Sequence, residues 1–206
     1  MVNRNFTLIN GNIEDVHAAI LDIFNDVTIL KDYQAPVNIH LEEVIPGGAH
    51  PIWNIALWQP TNTKGTVLFG NLQDGFASVT WILNRNYKFE LTRIAVDFDI
   101  ENNEPEYGMF HSFHHFYADG RERLVRVMWD DRWDFYEKGE PMPFEQTERY
   151  TERLRRKRLT NDMVLDYAKR YCCIHLFLMS YFRRRNINKN QSVTIFKPRN
   201  ISFILR

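Results

Sequence analysis

The sequence predicts an α+β fold, with a mainly antiparallel sheet and helices packed on one face or end of it. Most links between neighbouring strand patterns are short, as antiparallel pairs allow, and two helical patterns interrupt the strands before a terminal helical region. Apolar residues form 44% and charged residues 25% of the 206 residues. This balance is typical of a folded globular protein and argues against a disordered or fibrous chain.

The first half of the chain mixes strand and helix patterns. Phe6–Ile9 predicts a strand, and a helix capped by Asn12 follows, because apolar residues recur at three- and four-residue spacing as far as Val27. Period-two alternation predicts strands at 37–41 and 53–57, and a third short strand is predicted at 67–69, after a turn. Asp74 is predicted to cap a second helix, whose apolar stripe reaches Tyr87.

The second half predicts an antiparallel meander followed by helices. Strands are predicted at 93–100, 109–117, 124–129 and 133–136. Asp119 and Gly120 lie between two of them, and an Asp-Gly pair strongly indicates a hairpin because it tolerates positive φ. The segment Gly139–Pro143 breaks the sheet, and helices are predicted from Thr147 and from Thr160.

The net charge of zero conceals two oppositely charged parts. Residues 1–166 contain all 26 acidic side chains and 17 basic ones, whereas residues 167–206 contain nine basic side chains and no acidic one. We therefore predict a single acidic α+β domain over 1–166, with a net charge of −9, and a basic C-terminal segment over 167–206, a terminal helix plus tail. An acidic body disfavours nucleic acid and favours a basic protein as partner.

The basic segment leaves several interpretations open. Its apolar run at 171–182 is shorter than the ~20 residues that cross a bilayer. It could complete the core with a last helix and strand, or serve as a membrane-surface or nucleic-acid appendage. It could also be a C-terminus altered by a shifted reading frame, which the abrupt loss of acidic residues favours.

A cytoplasmic location is predicted from the N-terminus and the cysteines. The apolar stretch Phe6–Ile9 is too short for the core of a secretory signal peptide. Cys172 and Cys173 are adjacent, and adjacent cysteines seldom bridge each other, so a reducing compartment is expected.

The sequence lacks the common catalytic and cofactor motifs, including phosphate-binding glycine loops, zinc-binding cysteine pairs and the nucleophile elbow of hydrolases. We therefore predict no cofactor, no resident metal and no enzymatic activity. The alternative is a metal-dependent hydrolase using His111 and His115, on one face of a strand, with the Asp130-Asp131 turn. The two histidine Cα atoms would lie ~13 Å apart, too far to chelate one ion without a bend. Sheet-surface or partner-contact histidines are therefore expected.

A nucleic-acid role for Arg153–Arg158 is a weaker alternative. This run could contact phosphates, but three glutamates are predicted to lie within about a turn of it on a helix. They are Glu145, Glu148 and Glu152. The prediction is a solvated, ion-paired face.

Carboxylates next to aromatic side chains predict a protein-binding site in the second half of the chain. Trp133 stands between Asp131 and Asp134, and a tryptophan in such a position can anchor an interface. Consecutive aspartates at a turn also commonly bond to their own backbone. The predicted binding residues are Asp97, Asp99, Asp130, Asp131, Trp133, Asp134 and Glu137.

Two segments, Gly70-Asn71-Leu72-Gln73-Asp74-Gly75-Phe76 and the block from Arg126 to Glu145, carry a family resemblance. Together they resemble the immunity proteins of bacterial polymorphic toxin systems of the contact-dependent inhibition and Rhs type, over roughly residues 70–171. The resemblance implies one cytosolic α+β domain that binds and blocks a cognate toxin domain, usually a basic nuclease, and does no chemistry itself. No catalytic residues are implied.

Overall fold

The computed structural model describes residues 3–24, 27–34, 55–59, 64–70, 74–97, 110–171 and 192–198. For residues 3, 4, 27–34 and 192–198 it describes the backbone. The strand predicted at 37–41 and most of the apolar run at 171–182 lie outside these residues.

The described strands form one antiparallel sheet of nine strands. They are β1 (Asn3–Ile9), β2 (Val27–Gln34), β3 (Ile55–Trp58), β4 (Thr66–Gly70), β5 (Leu91–Asp97), β6 (Phe110–Phe116), β7 (Glu122–Asp130), β8 (Arg132–Lys138) and β9 (Ser192–Pro198). Their order across the sheet is β2-β9-β3-β4-β1-β5-β6-β7-β8. The α+β class with a mainly antiparallel sheet is thus confirmed.

Three α-helices occur in the described part of the chain: α1 (Ile13–Ile23), α2 (Ala77–Tyr87) and α3 (Asn161–Tyr171). None of these three is long and apolar enough to cross a lipid bilayer.

Helices cover both faces of the sheet, whereas the sequence suggested one face or end. Phe113 and Val125, on β6 and β7, share a core cluster with Tyr167 of α3. A second cluster joins α1 and α2 to residues of β3 and β4, among them Leu57 and Leu68. Successive strand residues point to opposite faces, so the two clusters lie on opposite sides of one sheet. We call these sides the α3 face and the α1/α2 face.

The two ends of α1 show what local signals can and cannot predict. The Oδ1 atom of Asn12 accepts a hydrogen bond from the amide of Asp15 at 2.8 Å, so the predicted cap is confirmed. The helix ends at Ile23, however, and Val27 begins β2. That strand was missed because Val27 continues the three- and four-residue spacing of the helix.

The start of α2 differs from the prediction. Oδ1 of Asp74 accepts a hydrogen bond from the amide of Phe76 at 3.0 Å, which makes a turn before the helix instead of a cap on it. Phe76 occupies the N-cap position with φ of +58°, and no side chain caps the helix there. The helix begins at Ala77.

The prediction of a helix from Thr147 is also wrong, because the chain there forms two short 3₁₀ helices, Thr147–Thr151 and Arg155–Lys157. The amide of Gln146 donates to the hydroxyl of Tyr167 at 2.8 Å, and the side chain of Tyr150 is buried. Tertiary contacts therefore override the helical pattern of this segment and determine its path. The helix predicted from Thr160 is confirmed as α3, and Oγ1 of Thr160 accepts from the amide of Met163 at 3.3 Å.

The boundary predicted at 166/167 stays a prediction. Helix α3 runs through it without a break, and β9, within the basic segment, pairs with both β2 and β3.

The loop after β8 predicts a glycine requirement that can be measured. Gly139 has φ of +82°, and a Cβ there would stand 2.1 Å from the carbonyl oxygen of Glu122. Gly120 has φ of +90° with nothing within 4 Å of its Cβ position, so it is the matched control. We expect Gly139→Ala to lower the free energy of unfolding by about 3 kcal/mol and Gly120→Ala by about 1 kcal/mol, measured by urea unfolding. Equal losses would show that the contact with Glu122 is unimportant.

Candidate functional site

The β7–β8 hairpin brings together five of the seven predicted binding residues. They are Asp130, Asp131, Trp133, Asp134 and Glu137. Asp97 does not join them, because it is 0% exposed within β5 and cannot contribute to a docking surface without rearrangement. Asp99 lies outside the described residues.

The tip of this hairpin carries an aromatic pair beside two carboxylates. Trp129 and Trp133 face each other across the strands, with ring centroids 5.4 Å apart, and both are half-buried. Asp131 makes the turn with φ of +56°, a conformation that aspartate tolerates. Asp130 and Asp131 are exposed, and within the described residues neither carboxylate has a hydrogen bond or ion pair. Both therefore remain available to a partner.

The outer strand of the hairpin, β8, is contacted by the arginine-rich segment Arg153–Arg158. Nη1 of Arg155 lies 3.1 Å from Oδ1 of Asp134 and donates to the carbonyl of Trp133 at 3.3 Å. The guanidinium of Arg158 lies 5.4 Å from the ring centroid of Phe135. An edge strand covered in this way is protected from pairing with other chains.

The ion pairs predicted between this arginine run and Glu145, Glu148 and Glu152 do not form in the described part of the chain. Arg158 donates to the backbone carbonyl of Glu152 at 2.8 Å, but Arg155 pairs with the hairpin. Glu145 is buried and pairs with Arg123 instead. The helix that would have aligned the glutamates with the arginines is absent from this described segment.

A buried ion pair anchors the base of the hairpin. The side chains of Arg123 and Glu145 are both 0% exposed, and Nη2 of the arginine lies 2.6 Å from Oε2 of the glutamate. Arg123 also donates to the carboxylate of Glu137 and to the carbonyl of Gly139, at 2.9 and 2.8 Å. This geometry is the multidentate arginine–carboxylate contact, which is strong and directional.

The same glutamate ties the hairpin to α3. Glu145 accepts hydrogen bonds from the amide of Met142 at 2.9 Å and from the hydroxyl of Tyr150 at 2.8 Å. That hydroxyl lies 3.1 Å from the hydroxyl of Tyr167 in α3. We call Arg123, Glu145, Tyr150 and Tyr167 the buried network.

The ionisation of the buried network follows from its contacts. Burial by itself lowers the pKa of Arg123, but hydrogen bonds to Glu145 and Glu137 outweigh it, so the pKa is raised overall. Burial and then the hydrogen bond with Tyr167 raise the pKa of Tyr150. The guanidinium therefore stays charged and the phenol stays neutral.

Sequence reasoning missed this network, although one signal was present. Alternate residues of a strand point to the same face, and Arg123 alternates with Val125 and Val127 in β7. Arg123 must therefore lie on their buried face. A charge at such a position requires a buried partner.

The histidines of the metal alternative are core residues. His111 and His115 lie on the α3 face and are 1% and 0% exposed. Nδ1 of His115 is 2.9 Å from the hydroxyl of Thr92, and its ring lies 4.3 Å from that of Tyr117 and 4.7 Å from that of Tyr171. The expectation of surface histidines is therefore wrong for both, because α3 covers the face they occupy.

The predicted metal constellation is not assembled in the described residues. Nδ1 of His111 accepts from the amide of Asp97 at 3.4 Å, and His111 and His115 are buried while Asp130 and Asp131 are exposed at the hairpin tip. No group of three or more histidine, cysteine, aspartate or glutamate residues in the described ranges is placed to hold a metal ion.

Comparison of the chain with protein-family models, curated proteins and solved structures finds no match in any of the three.

The buried histidines predict acid sensitivity. Burial lowers the pKa of His111 and of His115 from 6.5 to about 4. Both rings are therefore neutral in the folded protein, and the stability they contribute is complete above about pH 6.5 and is lost as pH falls towards 4. We expect the free energy of unfolding to fall by up to about 3 kcal/mol for each ring over that window.

The measurement is ring titration by NMR, combined with urea unfolding across the same pH window. Neither His111 nor His115 should titrate near its unfolded value while the protein remains folded. We expect His115→Gln to reduce the pH dependence of stability. Ring signals that titrate near pH 6.5 in the folded protein would contradict the assignment of both rings as neutral core groups.

Proposed function

We propose that this chain is a cytosolic immunity protein that binds the basic domain of a cognate toxin through the tip of the β7–β8 hairpin and blocks it sterically, without a reaction of its own. The observation that most directly supports this proposal is the half-buried Trp129–Trp133 pair beside the exposed carboxylates of Asp130 and Asp131. The resemblance of residues 126–145 to immunity proteins directs the choice of partner.

The aromatic pair supports a protein partner because of its position. Large aromatic side chains with part of their surface still exposed are the residues that dominate binding energy in protein interfaces. Here the two indoles stand at the end of an exposed hairpin, where a partner can cover them without any change in the core.

The charges support a basic partner. Residues 1–166 carry a net charge of −9, which favours encounter with a cationic surface. Asp134 and Glu137 already form ion pairs with Arg155 and Arg123. Asp130 and Asp131 can therefore pair with a partner without breaking an ion pair of this chain.

The anchored base of the hairpin supports tight binding. The buried network holds one end of the hairpin, and Arg155 holds its outer strand. A docking element that is already ordered loses less conformational entropy on association than a mobile loop.

The test is to search the coding sequence next to that of this chain for a basic toxin domain and to measure binding to its product. The double variant Asp130→Asn/Asp131→Asn removes two charges while keeping the turn, since asparagine also tolerates positive φ. We expect its association to be weakened about ten- to a hundredfold, mainly through a slower association rate, and the wild-type affinity to fall with added salt.

The matched control is Glu140→Gln/Glu148→Gln, which removes two exposed carboxylates outside the hairpin tip. Its affinity should stay within about twofold of the wild type, because charges distant from an interface are screened. Both double variants should show the unfolding transition of the wild type. Equal weakening by both would mean that net charge alone acts, and no binding by the wild-type chain would refute the proposal.

A further inference from the structure

The α1/α2 face contains a cleft that the proposed function does not use. It lies between α2 and the strands β5 to β7 and has a volume of about 560 Å³. Its walls combine apolar, aromatic and charged side chains: Ala77, Ser78, Trp81, Ile82, Arg93, His114, Phe116 and Glu122. Pockets for small ligands usually span ~300–1,000 Å³ and are mostly apolar with a few polar groups, as this one is.

Arg93 is the cation of the cleft. Its Nη2 donates to the carbonyl of Asp74 at 2.6 Å, and among the described residues this is the one hydrogen bond of the guanidinium. The remaining N–H groups can donate to a ligand. The carboxylate of Asp74 accepts a hydrogen bond from the amide of Phe76 and attracts the guanidinium electrostatically, but in the described part of the chain it forms no ion pair or hydrogen bond with Arg93.

The acidic group of the cleft, in contrast, is already neutralised. Glu122 lies 2.5 Å from Nζ of Lys138 and 2.7 Å from Nε2 of His114. An anionic ligand would therefore meet the free donors of Arg93 without facing an uncompensated charge on Glu122, and it would compete with the attraction between Arg93 and Asp74.

Aromatic surface supplies the remaining recognition. Trp81 is 47% exposed, although it lines the cleft, and the rings of His114 and Phe116 pack against each other, tilted by 32° with centroids 3.9 Å apart. An exposed tryptophan beside this pair of rings offers aromatic surface on which a planar ligand can pack. The guanidinium of Arg85 lies 4.2 Å from the ring centroid of Trp81, which helps to hold the indole in place.

We propose that this cleft binds a small planar aromatic molecule with one carboxylate, whose ring packs on Trp81 and Phe116 and whose carboxylate accepts hydrogen bonds from Arg93. This site lies on the α1/α2 face, in the cleft between α2 and β5–β7, and it functions independently of the hairpin tip.

The probe is indole-3-acetate, titrated into the full chain and followed by calorimetry and saturation-transfer NMR. A ligand of this size should bind with a dissociation constant of roughly 1 mM or below. Indole-3-acetamide has the same shape without the charge, and we expect it to bind at least about tenfold more weakly, because it cannot form the charged contact with Arg93. Equal affinity for the two probes, or no binding of the acid at several millimolar, would overturn the proposal.

Two variants of equal exposure locate the site. Trp81→Ala removes a 47% exposed side chain from the cleft, and Leu154→Ala removes a 48% exposed one from outside it. We expect the first to weaken indole-3-acetate binding at least about fivefold and the second to leave it unchanged. The hairpin variant Asp130→Asn/Asp131→Asn should also bind the probe as the wild type does. Unchanged binding by Trp81→Ala, or a loss shared with Leu154→Ala, would refute the assignment.

Discussion

The ion pair between Arg123 and Glu145 is the interaction on which the second half of this structure depends. Neither charge reaches solvent, so the carboxylate of Glu145 can be accommodated only because Arg123 is present, and the guanidinium of Arg123 only because Glu145 and Glu137 accept its hydrogen bonds. Through Gly139, Met142 and Tyr150 the pair also determines where the loop after β8 turns back towards α3. The ion pair mainly specifies the path of the chain, since an apolar pair of equal volume would stabilise the fold about as well.

This anchoring divides the hairpin into a fixed base and a tip available for binding. At the base, Glu137 and Asp134 are neutralised by arginines of the same chain. At the tip, Asp130 and Asp131 lie beside two indoles and have no ion-pair partner in the described part of the chain. A carboxylate count from the sequence treats all four alike, but the structure separates two that hold the hairpin from two that can hold a partner. The cleft beneath α2 is on the other face of the sheet and places no demand on this arrangement.

Local signals predicted the elements whose residues interact mainly with their sequence neighbours. The cap of α1, the hairpins of β6 to β8 and the start of α3 belong to this group. Long-range pairing decided the rest. Nothing local shows that β9 inserts between β2 and β3, or that α3 covers His111 and His115. Among the binding residues, the hairpin set followed from sequence proximity, whereas Asp97, whose backbone carbonyl accepts a hydrogen bond from Asn161 of α3, is buried by long-range packing.

The most direct test of this account is a double-mutant cycle on the buried pair, with the free energy of unfolding as the readout. Arg123→Met should cost about 3–5 kcal/mol, because it strands the buried carboxylate of Glu145, and Glu145→Met should cost less, because Arg123 keeps its ion pair with Glu137. The double variant, which strands none, should be more stable than the sum of the single losses predicts by at least about 2 kcal/mol. Losses that add to within about 0.5 kcal/mol would contradict the claim that this pair organises the hairpin and its loop.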